Sequence, residues 1–246
     1  MLKILSTHII LSFIFSNPAY DIIKEMHSRD LSNTSKTNFS MKTITKKGDI
    51  KNLDFTSWSK NEPNNQRQII WFTSPKSFKG ISFLKIQKDS LTNMTMWHPK
   101  YKKIRKISLQ DRGNSFMNSE LTYEDLYIRN IDHYNYKLIK EESINKEICY
   151  LIESSPKNQT TSNYLKHRTW ISAAKIIPIK ETSYNLEGIP YKQKVFYYNN
   201  QNKVDSIKIQ NLNKDRYTIL IVKSIDTESD LKDNIFSERN LKRILE

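Results

Sequence analysis

Residues that could carry out chemistry are few and scattered in this chain of 246 residues. None of its five histidines forms a His-Glu-x-x-His motif or another metal-ligand spacing. Three carboxylates lie close together, at Glu120, Glu124 and Asp125, and such a group could supply a general acid and base. The spacing Thr122-x-x-Asp125 is instead typical of a helix cap, where acidic side chains suit the helix dipole. We therefore predict no catalytic residue, no metal site, no cofactor and no enzymatic activity.

The remaining reactive side chain is a single cysteine, Cys149. It lies in the apolar run 148–152, which has the composition of a strand, and one thiol cannot form a disulfide within the chain. Four glycines in all leave little room for a nucleophile elbow or a glycine-rich phosphate loop. We predict that Cys149 is a small buried hydrophobic side chain.

The formal net charge of +14 raises the question of a nucleic-acid partner, because basic surfaces attract phosphates. Most lysines are dispersed along the chain, and only residues 100–106 (KYKKIRK) form a run. Three interpretations of that run stay open. It can bind phosphate, it can be the solvated face of an edge strand, where lysines discourage sheet pairing, or it can meet anionic lipid headgroups. We expect no nucleic-acid partner.

Aromatic side chains carry much of the hydrophobic content and indicate a β-rich protein. Hydrophobic residues make up 37% of the chain and include 13 Tyr, 10 Phe and 4 Trp. Such side chains fit the half-buried surface of a sheet. Short runs of this kind predict strands from residue 39 to residue 223, and their regular spacing predicts an antiparallel sandwich or barrel. The run 216–223 is apolar on both faces, so we expect it to be central or covered.

Three short helices are predicted beside the strands. Residues 20–31 have apolar side chains at helical spacing, a second helix is expected near Leu121, and a third over residues 236–245. A sheet of this size must curl, and these helices are available to cover its concave side. Such an arrangement can enclose an apolar cavity that admits a ligand.

The N-terminus has the pattern of an export signal. A positive charge near the start is followed by apolar residues 4–15, a stretch too short to span a bilayer. Small and turn-forming residues follow, and we expect cleavage after Ser16 or Ala19. We therefore predict a signal peptide over residues 1–19 and a single domain over residues 20–246, located outside the cytoplasmic membrane.

The most informative stretch covers residues 97–126 and reads WHPKYKKIRKISLQDRGNSFMNSELTYEDL. It joins a basic strand, a turn around Gly113, an aromatic–methionine pair and a short acidic helix. This pattern resembles the signature region of the LolA-like outer-membrane lipoprotein-sorting family. Upstream, residues 72–84 (FTSPKSFKGISFL) resemble the family's F-x-x-P turn before a strand that starts with glycine. Asn118 departs from the pattern, since glycine is usual there, and His98 replaces an apolar residue.

The resemblance implies a fold that is mainly β (α+β). We expect an unclosed, strongly curved antiparallel β-barrel with a few short helices covering its concave side. The resemblance also implies a periplasmic carrier that shields the acyl chains of lipids or lipoproteins in an apolar cavity during transfer towards the outer membrane. A membrane exporter of the resistance-nodulation-division type is the partner that it implies, and we expect a monomer.

Aromatic, methionine and leucine side chains are the candidates for the cavity and its lid, because flat rings and flexible methionines suit a promiscuous acyl pocket. The lipid-binding candidates are Phe72, Phe83, Met94, Met96, Trp97, Phe116, Met117, Leu121, Tyr123 and Leu126. Arg105 and Arg112 are the candidates for contact with a lipid headgroup or a partner.

Two other functions compete with the carrier. The same curved sheet could be a non-catalytic periplasmic scaffold or an accessory subunit of a membrane lipid exporter, with its interior filled by side chains. A basic nucleic-acid binder is the third hypothesis, and it predicts steeply salt-dependent affinity for DNA. Lipid that purifies with the protein would favour the carrier over both.

Overall fold

A computed structural model describes residues 17–30, 34–62, 65–88 and 91–243. Within these residues, thirteen strands form one antiparallel sheet that is curved and unclosed, as the resemblance implies. The strands are β1 (Thr34–Ile44), β2 (Ile50–Glu62), β3 (Asn65–Ser74), β4 (Ser82–Lys88), β5 (Leu91–His98), β6 (Lys103–Lys106), β7 (Tyr134–Ile144), β8 (Glu147–Pro156), β9 (Lys166–Ser172), β10 (Pro178–Tyr184), β11 (Pro190–Tyr198), β12 (Val204–Asn211) and β13 (Arg216–Asp226). The α-helices are α1 (Pro18–Asp30) and α2 (Glu238–Leu241).

The order of the strands requires the chain to cross the sheet once. From β1, each strand pairs with the next as far as β6 at one edge, and β7 lies at the opposite edge. The strands β7 to β13 then return, so that β13 pairs with β1 at the centre of the sheet. The apolar run 216–223, which was predicted to be central or covered, lies in β13, so this prediction is confirmed. Residues 107–133 connect the two edges, and we call them the crossing segment.

The crossing segment contains four single 3-10 turns, and the short acidic helix expected near Leu121 is present only as one of them, Glu124–Leu126. The turns are Gln110–Gly113, Phe116–Asn118, Glu124–Leu126 and Ile131–His133. Met117 and Asn118 have φ angles of 53° and 58°, in the left-handed region that a right-handed helix cannot contain. Asn118 therefore lies at a position whose backbone favours the glycine that is usual there.

One face of the sheet, which we call the inner face, is covered by α1 and by the crossing segment. Its main hydrophobic core joins side chains of β1 to β4 to the crossing segment. Phe116, which is fully buried, lies at the centre of this core. The centroid of its ring is 4.9 Å from that of Phe83 and 5.9 Å from that of Phe72. The aromatic–methionine pair of the sequence thus anchors the crossing segment to the sheet.

The helix α2 packs on the opposite face, which we call the outer face. Leu241 and Phe236 contact Trp71 and Leu84 there. The indole N–H of Trp71 donates to the carbonyl of Asn240 at 2.9 Å. This differs from the expectation that all helices cover the concave side. The physical reason is that β3 and β4 carry large apolar side chains on both faces, so both faces must be covered.

The helix α1 begins at Pro18 and packs against the far half of the inner face. Ala19 and Ile23 are buried against Ile152 and Ile171. Residues 18 and 19 of the predicted signal segment therefore belong to α1, while residues 1–16 lie outside the described part of the chain. The signal peptide and the division at residue 20 stay predictions. Among the described residues, no helix combines the length and the apolar character needed to cross a membrane.

Candidate functional site

The inner face changes character from one half of the sheet to the other. On the half formed by β1 to β6 several of its cross-strand pairs are apolar, such as Phe39 with Phe55 and Phe83 with Met96. On β9 to β11 they are polar, since Glu181 lies beside Thr169 on one strand and Lys194 on the other. Because successive side chains of a strand point to opposite faces, these three side chains share the inner face. The crossing segment covers the boundary between the halves.

Asp125 of the crossing segment is the centre of a buried ion cluster. Its side chain is 2% exposed, and its carboxylate binds the ammonium groups of Lys192 and Lys194, the latter at 2.8 Å. The backbone N–H and the hydroxyl of Thr122 each donate to the same carboxylate at 2.8 Å. The capping contact predicted from the Thr122-x-x-Asp125 spacing therefore forms. Lys192 also donates to the hydroxyl of Tyr164 at 2.7 Å.

Glu181 is the second buried carboxylate of the cluster. Nη2 of Arg129 lies 2.6 and 2.7 Å from its two oxygens, and Nζ of Lys194 lies 3.4 Å from one of them. Nδ1 of His167 is 2.8 Å from the hydroxyl of Ser183 and 3.9 Å from Oε1 of Glu181. Lys194 contacts both carboxylates, so Asp125 and Glu181 belong to one network of charges.

Burial and neighbouring charges act in opposite directions on this network. Burial by itself raises the pKa of Asp125, but Lys194 and Lys192 outweigh it and hold that pKa well below its usual range. The same balance, with Arg129 as the main cation, lowers the pKa of Glu181. Burial and the charge of Arg129 lower the pKa of His167 to about 3. The two carboxylates are therefore ionised at neutral pH and the imidazole is neutral.

Next to the ion cluster, a cavity of 340 Å³ lies between the sheet, α1 and the crossing segment. We call it the aliphatic cavity. Its apolar wall consists of Ile23, Met26, Leu121, Leu126, Phe196, Ile207, Ile209 and Leu220. Its other end is formed by Asp125, Arg129, Glu181 and Lys194. The volume falls in the range of about 300–1,000 Å³ that is usual for small-molecule sites. The cavity therefore combines an apolar wall with a charged end.

Two further hollows adjoin this cavity. One of 560 Å³ shares Ile207 and Leu220 with it and continues along β12 and β13 to Phe39 and Val222. The other, of 110 Å³, shares Asp125, Arg129 and Lys194 with it. We call this smaller one the polar cavity. Residues of the ion cluster therefore line both the aliphatic cavity and the polar cavity.

The structure brings together only some of the candidates that the sequence indicates. Leu121 and Leu126 line the aliphatic cavity. Six candidates pack in the neighbouring core on the same face, namely Phe72, Phe83, Met96, Phe116, Met117 and Tyr123. Met94 lines a separate hollow beside β5 and β6. Trp97 packs on the outer face, near α2. Their roles in lipid binding stay predictions.

The two arginine candidates occupy different environments. Arg112 lines the polar cavity, and its guanidinium lies 5.0 Å from the centroid of the Tyr127 ring. The side chain of Arg105 is 63% exposed on the edge strand β6 and forms an ion pair with Asp111 at 3.3 Å. Only Arg112 is therefore close to the ion cluster.

Sequence reasoning missed most of the charged end of the site. Lys192, Lys194, Arg129, Glu181 and His167 carried no recognised motif, and Asp125 was interpreted only as a cap. One signal was available, because β11 begins Pro-Tyr-Lys-Gln-Lys and its alternate lysines must share a face. The pairing of that face with the crossing segment joins residues 67 positions apart, and the pattern of a single strand does not contain it.

Three solved structures share this architecture. A Vibrio parahaemolyticus domain named for outer membrane lipoprotein sorting has a TM-score of 0.84 at 21% identity, covering 92% of this chain and 99% of that one. A DUF1329 family protein from Desulfovibrio piger has a TM-score of 0.85 at 21% identity, covering 91% and 98%. A LolA superfamily protein from Nitrosomonas europaea has a TM-score of 0.74 at 19% identity, covering 90% and 98%. No curated protein matches the sequence.

An open, curved antiparallel sheet with a crossing segment over its inner face defines the LolA-like class of fold, and at these identities the three structures establish the fold alone. A family model described as an uncharacterized protein matches residues 64–243, which is most of the chain. The chain belongs to that family, and its fold is LolA-like.

Proposed function

We propose that this protein is a periplasmic carrier of lipid or lipoprotein acyl chains and that the aliphatic cavity holds the hydrocarbon. The observation that supports this most directly is the cavity of 340 Å³ between the sheet and its cover. Leucine, isoleucine and methionine side chains line it from α1, the crossing segment, β12 and β13. The names of the Vibrio and Nitrosomonas structures point in the same direction, and the predicted export signal agrees with the location.

The physical basis of such a carrier is the transfer of hydrocarbon out of water. Each buried methylene group contributes about 0.8 kcal/mol, so an acyl segment of about ten carbons gains about 8 kcal/mol in a dry cavity. Release then requires either an acceptor that binds the chain better or an opening of the cover. A membrane exporter of the resistance-nodulation-division type is the donor or acceptor that we propose.

Filling the aliphatic cavity with a larger side chain tests the proposal. Ile207 lies in the wall shared by the aliphatic cavity and the larger hollow, so Ile207→Trp places an indole in the space that the acyl chain needs. We expect at least about tenfold weaker binding of a fluorescent fatty acid, which corresponds to about 1.4 kcal/mol. Fluorescence titration measures the affinity, and thermal unfolding shows that the variant is folded.

The matched control is Ile148→Trp. Ile148 is 59% exposed on β8, so the same substitution there adds an indole to the surface. Its affinity for the fatty acid should equal that of the original protein. Unchanged affinity in a folded Ile207→Trp variant would exclude the aliphatic cavity as the acyl site.

A second function, a scaffold or accessory subunit of a membrane lipid exporter, is favoured by one observation. Eight of the ten predicted lipid-binding side chains belong to the packed core of the inner face. Solvent extraction of the purified protein and mass analysis of the extract distinguish the two functions. Lipid in stoichiometric amount supports the carrier, whereas its absence, together with no affinity for added fatty acid, supports the scaffold.

A further inference from the structure

The polar cavity is built from charged side chains that the hydrocarbon site does not need. Arg112, Arg129 and Lys194 are its cationic groups, and Glu124 and Asp125 are its carboxylates. Its volume of 110 Å³ is too small for an acyl chain but is suitable for a compact polar group. Charged groups are rarely buried without a partner, because their desolvation costs free energy. Their charges must therefore be compensated, either by one another or by a ligand.

The carboxylates of this cavity already have donors. Glu124 accepts hydrogen bonds from the backbone N–H of Asn163 at 2.9 Å, from its side-chain amide at 2.8 Å and from the hydroxyl of Ser162. Asp125 accepts from Thr122 and from both lysines of the ion cluster. Neither carboxylate requires a cationic ligand to compensate its charge.

The cationic side chains of the polar cavity and the ion cluster outnumber the carboxylates there. Among the described residues no carboxylate forms an ion pair with Arg112, whose guanidinium lies over Tyr127. Counting Lys192 and Glu181 with the groups of the cavity, four cations face three carboxylates, because His167 is neutral. The polar cavity and the ion cluster thus carry one uncompensated positive charge, which an anion would neutralise.

We propose that the polar cavity binds the phosphate of an anionic lipid headgroup, with Arg112, Arg129 and Lys194 as its contacts. This rests on the proposed carrier function and names the class of lipid, a phosphate-bearing one. Arg129 and Lys194 also line the aliphatic cavity, so a headgroup at these side chains lies beside the space for its own acyl chain. Planar guanidinium groups present paired N–H donors that match two phosphate oxygens.

A competition experiment with matched lipids tests this proposal. The probe is an uncharged fluorescent diacylglycerol, and the competitors are dioleoyl phosphatidic acid and unlabelled dioleoylglycerol, which differ only in the phosphate. We expect phosphatidic acid to bind about tenfold more tightly than dioleoylglycerol, as one charged hydrogen-bonding contact would give. Arg112→Gln should remove most of this preference and leave the affinity for dioleoylglycerol unchanged.

The control is Arg105→Gln, which removes an exposed arginine outside the polar cavity and should keep the preference. Equal affinities of the two lipids for the original protein, or a full preference in Arg112→Gln, would overturn the headgroup assignment. Inorganic phosphate is tested as a third competitor. Tight binding of free phosphate without competition with phosphatidic acid would assign the cavity to a soluble oxyanion and would also overturn the proposal.

Failure of the headgroup inference and failure of the carrier function give different results. If the protein binds dioleoylglycerol and phosphatidic acid equally well, the aliphatic site stands and only the headgroup assignment fails. If it binds neither lipid, the carrier function itself fails. Thermal unfolding of each variant confirms that a change in affinity does not come from loss of the fold.

Discussion

At the scale of single residues, the protein buries two lysines on its inner face in different ways. Lys192 is 1% exposed and is compensated by the carboxylate of Asp125. Lys85 is 4% exposed, and its ammonium group donates a hydrogen bond to the carbonyl of Leu126 at 2.7 Å and lies 6.0 Å from the centroid of the Tyr127 ring. A carbonyl dipole stabilises a positive charge less than a carboxylate does. Burial therefore lowers the pKa of Lys85 to about 8.

This depressed pKa makes stability depend on pH in a predictable direction. Between about pH 8 and pH 10.5, the unfolded chain binds a proton at Lys85 that the folded protein has released, so the free energy of unfolding rises with pH. The full gain is about 3 kcal/mol. Lys85→Met has no such proton, and its stability should lack this rise. Urea unfolding of both proteins between about pH 7 and pH 10 measures the difference.

Tyrosines also titrate at the upper end of this range, but they do so in both proteins. The difference between the two pH profiles therefore isolates Lys85. Parallel profiles would show that the ammonium group of Lys85 does not lose its proton in the folded state.

Two buried residues, Cys149 and Asp125, show how much of a side chain's role its neighbours in sequence can predict. Cys149 was predicted to be a small buried side chain and is fully buried, because its apolar neighbours already indicate an interior strand. Asp125 was predicted only as a cap, and that contact forms. Its larger role in the ion cluster depends on Lys192 and Lys194, which only the folding of the sheet brings near it.

At the scale of elements, local patterns predicted strands well and predicted the crossing segment poorly. β5 spans Leu91–His98, as expected from its alternation, and β13 is central. Strand patterns repeat every two residues, and one buried face is enough to reveal them. The crossing segment has no period, because each of its turns is shaped by the side chains beneath it. The left-handed Met117 and Asn118 are the clearest example.

The crossing segment and α1 together form the cover of the aliphatic cavity, so ligand binding should stabilise them. Ile23 and Met26 of α1 and Leu121 and Leu126 of the crossing segment line the cavity. A ligand that binds only the closed form reduces the population of the open form by a factor of one plus the ratio of ligand concentration to Kd. At a fatty acid concentration of about 100 times Kd, we expect amide hydrogen exchange through opening of this cover to slow by about a hundredfold.

The helix α2 serves as the internal control for this experiment. It packs on the outer face against Trp71 and Leu84, away from the aliphatic cavity. Its exchange should not change when fatty acid is added. Slowing of similar size in α2 would indicate a global stabilisation and would contradict the assignment of α1 and the crossing segment as the cover.

At the scale of the whole molecule, the open sheet leaves two edge strands. Within the described part of the chain, β6 pairs only with β5, and β7 pairs only with β8. Unpaired edges are templates for association between molecules, and natural proteins oppose this with charged side chains. β6 consists of Lys103, Ile104, Arg105 and Lys106, and all four residues are exposed. This placement favours the edge-strand interpretation of the basic run 100–106, and we predict that the charges keep the protein monomeric.

Removing the charges from this edge should therefore cause association. In Lys103→Val with Lys106→Val, the edge keeps its backbone hydrogen-bonding groups and gains β-branched side chains that favour pairing. We expect the variant to form dimers or larger species at concentrations where the original protein is a monomer, as measured by light scattering after size-exclusion chromatography. Lys42→Val with Lys208→Val is the control, because β1 and β12 are paired on both sides. Loss of two charges there should leave a monomer, whereas association of both variants would assign the effect to net charge and not to the edge.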